Sequence, residues 1–402
     1  MGFLPTPMSA EPPAKRRLVT TASFDSLKTW LIQSGARNLE HLELRPSALP
    51  GGQTGLFSLE DIPSGEICEI PQSCVLSHHR AQAELNLPPS CPPDLHLFVY
   101  MALGRTDASH PLNLYLRSLP TEPQGLPSWP ASYRSLVAGT SLAQSLSSAS
   151  TEVSSFAKLA ASYGLDVSEE DISWAYDMYY SRRYPMALVP HLPQTKDAGV
   201  LVPFLDRLNH VPMTPVAWAG TKDHVKMTSE REGGIKAGEE VYQNYGAKSN
   251  ELLLLHYGFS EKDNVFDTYP LVLKVKGEGG AVTSRGPFFI RRPSELWQQL
   301  PSDLWHAIAD PSAEPPYGEE PPEIDLDDVE MLLATLQAHL GAARARAEAA
   351  GCREEGAGGG GDVRGGFVYT WLDGQVVLLQ EACETLQEML GGAEEGEDGD
   401  EE

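Results

Sequence analysis

The chain has 402 residues, 41% of them hydrophobic and 21% charged, which excludes collagen-like, coiled-coil and wholly disordered chains. Its net charge of −26 is lopsided: residues 311–402 hold 23 acids against 4 bases, so the remainder is only mildly acidic and carries no basic field of the kind that binds nucleic acid. Five cysteines without a C-x-x-C pair signal neither a disulfide framework nor a Cys-rich zinc site, which points to a reducing compartment, and no apolar run reaches membrane-span length.

Residues 1–23 read as a disordered leader: four prolines and the triplet Lys15-Arg16-Arg17, without the apolar stretch of a secretory signal. Phe24, Leu27, Trp30 and Leu31 predict a short helix from Phe24 to Gly35. The glycine turn Gly51–Gly55 precedes short strands between Leu56 and Val75. From about 85 to 178 the spacing is helical: Leu95, Phe98, Val99 and Leu103, then Leu112, Tyr115, Leu116 and Leu119, then helices over 152–164 and 168–180. Short strands return from Pro185 to Tyr245, followed by a helical turn at Leu252–Tyr257 and a strand at Thr268–Val275. Five prolines make 310–323 an extended linker. Val329, Leu332, Leu333, Leu336 and Leu340 form one apolar helix stripe; Leu372, Val376, Leu379, Cys383, Leu386 and Leu390 form another. Between them, eight glycines in 351–366 predict a flexible insertion, and seven acids among the last twelve residues predict a disordered acidic tail over 392–402.

The densest cluster of chemistry-bearing residues lies between 199 and 259. It holds Leu201-Val202-Pro203-Phe204-Leu205-Asp206-Arg207-Leu208-Asn209-His210, then Gly238-Glu239-Glu240-Val241-Tyr242-Gln243-Asn244-Tyr245-Gly246 with Ser249-Asn250, and Tyr257-Gly258-Phe259. These blocks resemble the two halves of a SET domain, in the branch typified by the Rubisco large-subunit methyltransferase. Ser181-Arg182-Arg183-Tyr184, the Tyr115-Leu116 and Gly139-Thr140-Ser141-Leu142 segments of the helical insert, and Trp371-Leu372-Asp373-Gly374-Gln375, expected to start a helix, are similar to that branch too. The resemblance covers about residues 24–390.

It implies an α+β fold: a SET catalytic domain over 24–260 made of short strands with the helical insert, then a mostly α-helical substrate-binding domain over 261–391. It also implies an S-adenosyl-L-methionine-dependent transfer of methyl to a lysine amine of a protein. Such a transfer needs a neutral nucleophile in line behind the methyl carbon and little acid–base machinery, so positioning and electrostatics carry the rate. By resemblance, Tyr245 aligns the methyl group. Gly52, Gln53, Thr54, Arg182, Asn209, His210, Tyr245 and Phe259 hold the cofactor, with Arg182 on its carboxylate and Phe259 on its adenine. Tyr184, Leu205 and Tyr242 line the substrate channel. Gly52 stands where the family has Glu, which spares a backbone contact and removes a side-chain one. Asp206 is expected to order its loop by local hydrogen bonds, and His210 is neither a base nor a metal ligand; no metal is implied.

The alternatives are a protein-histidine methyltransferase and an inert SET-fold scaffold. An aromatic Tyr184 and an aliphatic Leu205 favour lysine, because the histidine-modifying relatives carry a polar amide and a tryptophan there. The expected partner is a lysine-containing protein, not nucleic acid or membrane. The chain is expected to act as a monomer in the cytoplasm or nucleus, or in a plastid or mitochondrion if the leader is a transit peptide.

Overall fold

Alternating burial and turn chemistry break the first half of the chain into many short elements. A computed structural model describes residues 21–51, 54–85, 87, 88, 90–276, 282–292, 299–310, 322–356 and 363–397. In chain order these form α1 (Thr21–Gln33), β1 (Leu42–Arg45), β2 (Gly55–Ser58), β3 (Gly65–Pro71), α2 (His78–Glu84), α3 (Pro93–Thr106), α4 (Asn113–Ser118), α5 (Ala131–Arg134), α6 (Ser141–Ser162) and α7 (Glu169–Tyr180). Then come β4 (Tyr184–Pro185), β5 (Gly199–Val200), β6 (Asn209–His210), β7 (Val216–Gly220), β8 (His224–Ser229), β9 (Glu240–Gln243) and α8 (Asn250–Leu252). The C-terminal part has β10 (Thr268–Lys276), β11 (Val282–Arg291), α9 (Ser302–Ala309), α10 (Leu326–Gly356) and α11 (Arg364–Glu397).

Among the described residues four small sheets form, ordered β1-β2-β9-β6, β3-β8-β7, β4-β5 and β10-β11. The pairing that matters for the site is the parallel β6–β9 contact, which sets Asn209 opposite Tyr242 and His210 opposite Gln243. Residues far apart in sequence thereby share one sheet edge. In β8 the period-2 pattern is visible directly: Val225, Met227 and Ser229 are buried while His224, Lys226 and Thr228 are not.

The helical insert α3–α7 packs onto these sheets in one continuous core with α1. Ser168 caps α7 in a reciprocal box with Asp171, and Glu169, Glu170 and Asp171 place three acids at its positive end. The insert differs from its sequence reading at α6, which starts at Ser141 rather than near 152. Its buried stripe is Leu142, Ala149, Val153 and Ala160, mostly small residues among serines, so periodicity alone shows it weakly.

A second core joins β10, β11, α9 and the α10–α11 pair, with Leu332, Leu336, Leu379 and Leu386 buried in it. Burying each such leucine contributes about 1.5–3 kcal/mol. The two long helices run further than composition suggests. α10 continues to Gly356, and α11 begins at Arg364, seven residues before Trp371, and reaches Glu397. The insertion expected over 351–366 thus contains the ends of both helices and the turn residue Val363, the tail expected to be irregular from 392 contains the last turn of α11, and positions 357–362 and 398–402, like the leader's first twenty and most of the linker, lie outside the described residues. A third core seals the seam between the two parts: Leu126, Trp129, Leu142 and Leu255 meet Ala347, Phe367 and Trp371. Among the described residues no helix is long and apolar enough to cross a membrane.

Candidate active site

At the β6–β9 junction lies a cavity of about 450 Å³, lined by Thr54, Arg182, Asn209, His210, Tyr245 and Phe259 together with Asp206, Tyr257 and Phe367. Six of the residues expected in the site therefore meet in one place. Gly52 and Gln53 lie outside the described residues. Tyr184 and Leu205 are buried and do not line the cavity. Tyr242 turns its hydroxyl to Glu240 Oε2 at 3.2 Å and also lies off the cavity wall.

Asn209 is held by two bonds from its amide nitrogen, to Thr54 O at 3.1 Å and to Glu240 Oε1 at 2.6 Å. The other Glu240 oxygen accepts from Ser47 Oγ at 2.8 Å. Among the described residues the Asn209 amide oxygen has no donor, so it remains available as an acceptor. Gly55 permits this arrangement, because a Cβ there would stand 1.9 Å from Glu240 Oε1 and 2.8 Å from Asn209 Nδ2.

Three rings form a stack along one wall. His210 lies parallel to Tyr245 at 4.9 Å, and Tyr245 stacks on Tyr257 at 4.8 Å. His210 Nδ1 lies 3.1 Å from the Tyr245 amide nitrogen and 3.4 Å from Gln243 O, and Nε2 faces Glu261 Oε1 at 3.5 Å. Burial lowers the His210 pKa and lifts the Glu261 carboxyl to about 7. The Tyr245 hydroxyl donates to Leu208 O at 3.0 Å, and burial pushes it up to about 12, so it is a neutral phenol at physiological pH.

Arg182 leaves the end of α7 and donates from Nη1 to Asp206 O at 2.7 Å. Among the described residues its buried Nε has no hydrogen-bond partner. The Asp206 carboxylate reaches beyond the loop that the sequence expects it to order: it accepts from Tyr115 at 3.0 Å and faces Arg182 at 3.8 Å, and within the loop it also faces its neighbour Arg207 at 3.6 Å. The loop that carries it turns at Phe204, a buried residue with φ 76° and ψ −51° that stacks on Phe24. Such a backbone costs on the order of 1–3 kcal/mol and persists because the surroundings over-determine it.

Behind this wall the Tyr184 hydroxyl lies 2.6 Å from Gln243 Oε1 and 2.8 Å from Leu205 O. Tyr257 sits in a π-helical turn, Leu253–Tyr257, closed by Gly258 N to Leu253 O at 2.9 Å. This turn, wider than the α-turn expected, brings both Tyr257 and Phe259 to the cavity. Gly258 is required there: its φ is +75° and a Cβ would lie 2.0 Å from Gln124 O. Sequence reasoning missed Glu240 and Tyr257 as site residues, although both belong to the blocks it singled out.

A second, larger cleft of about 1,180 Å³ separates α6 and α7 from β10, β11 and α10; Tyr180, His256, Glu152, Glu251, Tyr269 and Trp371 are among its walls.

The arrangement of sheets and insert is that of a SET domain. Two solved structures of that class, the SET domain of LSMT bound to methyl-lysine and AdoHcy and Rubisco LSMT bound to AdoMet, superimpose at TM-score 0.71. They are 18% and 19% identical to this chain, and the match covers 91% of it and 91% and 92% of theirs. In sequence, a segment of 103 residues is 31% identical to ribosomal lysine N-methyltransferase set10 of Schizosaccharomyces pombe. One of 105 residues is 32% identical to protein-lysine N-methyltransferase EFM1 of Saccharomyces cerevisiae, and one of 123 residues is 32% identical to N-lysine methyltransferase setd6 of Danio rerio. Those segments cover 25%, 25% and 30% of this chain but only 18%, 18% and 23% of the relatives. No family model matches the chain.

Proposed function

We propose that this chain transfers a methyl group from S-adenosyl-L-methionine to the side-chain amine of a lysine in a protein. The observation that carries the proposal is the meeting of Arg182, Asn209 and Tyr245 on one cavity of a SET fold, with a buried guanidinium N–H and an amide oxygen both left unpaired. Those two groups suit the carboxylate and ammonium of an amino-acid moiety. His210 and Phe259, with Thr54 backbone, complete the cofactor's walls. When bound, the cofactor supplies a methyl group on a cationic sulfur.

Tyr245 holds its hydroxyl proton on Leu208 O, so its oxygen lone pairs are free to orient a polarised methyl group. With its pKa raised to about 12 it is no base. The target amine must therefore arrive neutral, and aromatic walls with neighbouring cations favour its losing the proton. Lysine rather than histidine is supported by Tyr184, whose hydroxyl is buried against Gln243 and Leu205 and is not available to an imidazole. Tyr184, Leu205 and Tyr242 then serve the substrate channel from behind, by fixing Gln243 and Glu240. The names of set10 and the similar yeast ribosomal lysine N-methyltransferase 1 support a protein target. In this reading the enzyme meets that target as a monomer, in the cytoplasm or nucleus.

The test is incubation of the full chain with radiolabelled S-adenosyl-L-methionine and a cell extract, with the labelled residue mapped by fragment mass spectrometry. Label on lysine is expected. Label on histidine with lysines untouched overturns the proposal.

A further inference from the structure

Lys248 lies three residues beyond Tyr245 and carries its ammonium over the Tyr257 ring, 5.8 Å from the centroid. Arg183, next to the cofactor-side Arg182, lies over Tyr180 at 4.7 Å. His256 stacks on the other side of this group, 5.1 Å from the Tyr180 ring and nearly parallel to it. Tyr257 lines the smaller cavity and Tyr180 and His256 line the larger, while Lys248 and Arg183, half-buried beside these rings, line neither.

Lys248 is the uncompensated member of the group. Among the described residues Lys248 and His256 make no side-chain hydrogen bond or ion pair, whereas Arg183 donates to the Asp197 carbonyl at 2.7 Å and also lies against Tyr179. Asp94 is near enough to feel Arg183 but does not bond it. The cleft's own carboxylates are taken: Glu251 accepts from Ser141 and Ser145, and Glu152 from Tyr176. Burial, then the charges of Arg183 and Lys248, hold His256 neutral down to about 4, and burial followed by Arg183 lowers Lys248. A half-buried cation without a counter-ion is costly unless an anion arrives from outside.

We propose that Lys248, Arg183 and the His256 ring form a subsite for a carboxylate of the protein substrate, an Asp or Glu side chain within two residues of the target lysine. The inference rests on the lysine methyl transfer proposed above. The spacing follows from the rings: Tyr257 touches both Tyr245 and Lys248, so the anion site lies one ring away from the methyl-transfer position, a reach of one or two extended residues at about 3.3 Å each.

The experiment uses the full-length chain. Lysines labelled in an extract are mapped, and each site is remade as a recombinant substrate with flanking acids replaced by their amides. The wild-type chain is expected to prefer the acidic substrate about ten-fold, the worth of one charged hydrogen bond. Lys248→Gln should bring that ratio to about one, Lys248→Arg should retain it, and Lys248→Glu should move the preference to sites flanked by Lys or Arg. Lysines mapped without an acid within two residues, or an equal acid-to-amide ratio in wild type and Lys248→Gln, overturn the subsite and leave lysine methylation standing. Should Lys248→Gln not fold, Lys248→Arg against Lys248→Glu gives the same comparison. Absence of any labelled lysine overturns the methyltransferase reading, and the subsite with it.

Discussion

Replacing Asn209 with alanine tests the cofactor side of the cavity most directly. The native amide nitrogen bonds Thr54 O at 3.1 Å and Glu240 Oε1 at 2.6 Å, while its oxygen is free toward the cavity. Truncation therefore does two separable things. It strips one donor from a Glu240 carboxylate that is buried, and leaves the Thr54 carbonyl short of a partner, which should lower stability by about 1–3 kcal/mol. It also removes the acceptor offered to a ligand ammonium, a charged hydrogen bond worth roughly 1.5–3 kcal/mol. At 1.4 kcal/mol per decade, binding should weaken by roughly 10- to 150-fold. Titration calorimetry with S-adenosylhomocysteine gives the affinity, and a thermal melt shows that the variant is folded. Unchanged affinity in a folded Asn209→Ala chain refutes the assignment. Asn209→Asp sharpens the test: it places a carboxylate against Glu240 Oε1, and should bind worse than the alanine variant if the contact is as close as it stands.

Tyr245→Phe should lose about 2.7–4 kcal/mol of transition-state stabilisation, the size found for a single oxyanion-hole donor, while S-adenosylhomocysteine binds nearly as before; turnover within two-fold of wild type would show that the hydroxyl is idle. Gly258→Ala has to place a side chain at φ +75° and 2.0 Å from Gln124 O, and is expected to destabilise by at least ~1–2 kcal/mol in denaturant melts; an unshifted midpoint would contradict the π-turn. Burial raises the Asp177 carboxyl to about 7, above its unfolded value, so folding favours the protonated form. That contribution is complete below pH 4 and is lost as pH rises through about 7. Asp177→Asn should therefore be neutral in stability near pH 4 and stabilising above pH 7, by something on the order of 2–4 kcal/mol; a pH-independent difference between the two proteins would exclude the shift.

The Asn209-His210 and Tyr245-Gly246 blocks were legible in sequence because few sites call for those residue types at that spacing, and the parallel β6–β9 pair brings them together. Arg182 was readable by its place before Tyr184. What sequence could not carry is direction. Tyr242 and Tyr245 are three residues apart in one strand and its exit, yet one faces Glu240 and the other the cavity. Tyr257 was visible as a letter in a motif, but its role depends on a π-turn that no periodicity encodes. Asp206 looked local, yet its carboxylate reaches Tyr115 and Arg182, partners 91 and 24 residues away in the chain that no local pattern announces. The first half of α6 escaped for a different reason: alanine and serine give a helix little apolar contrast, and the packed face is built of small residues.

Phe367 and Trp371 are separated by one turn of α11, and they face different rooms. Phe367 closes the cofactor-sized cavity, and Trp371 lines the large cleft across the seam. Ser260, beside Phe259, is tied to that turn by a 2.7 Å bond to the Phe367 carbonyl. The two compartments therefore share a party wall at this turn. Any ligand that shifts this turn changes the affinity of its neighbour, and by thermodynamic reciprocity the neighbour repays the same factor. Order of loading and release, usually ascribed to chemistry at the transferred group, would then be written into a single turn of a helix that touches none of the reacting atoms.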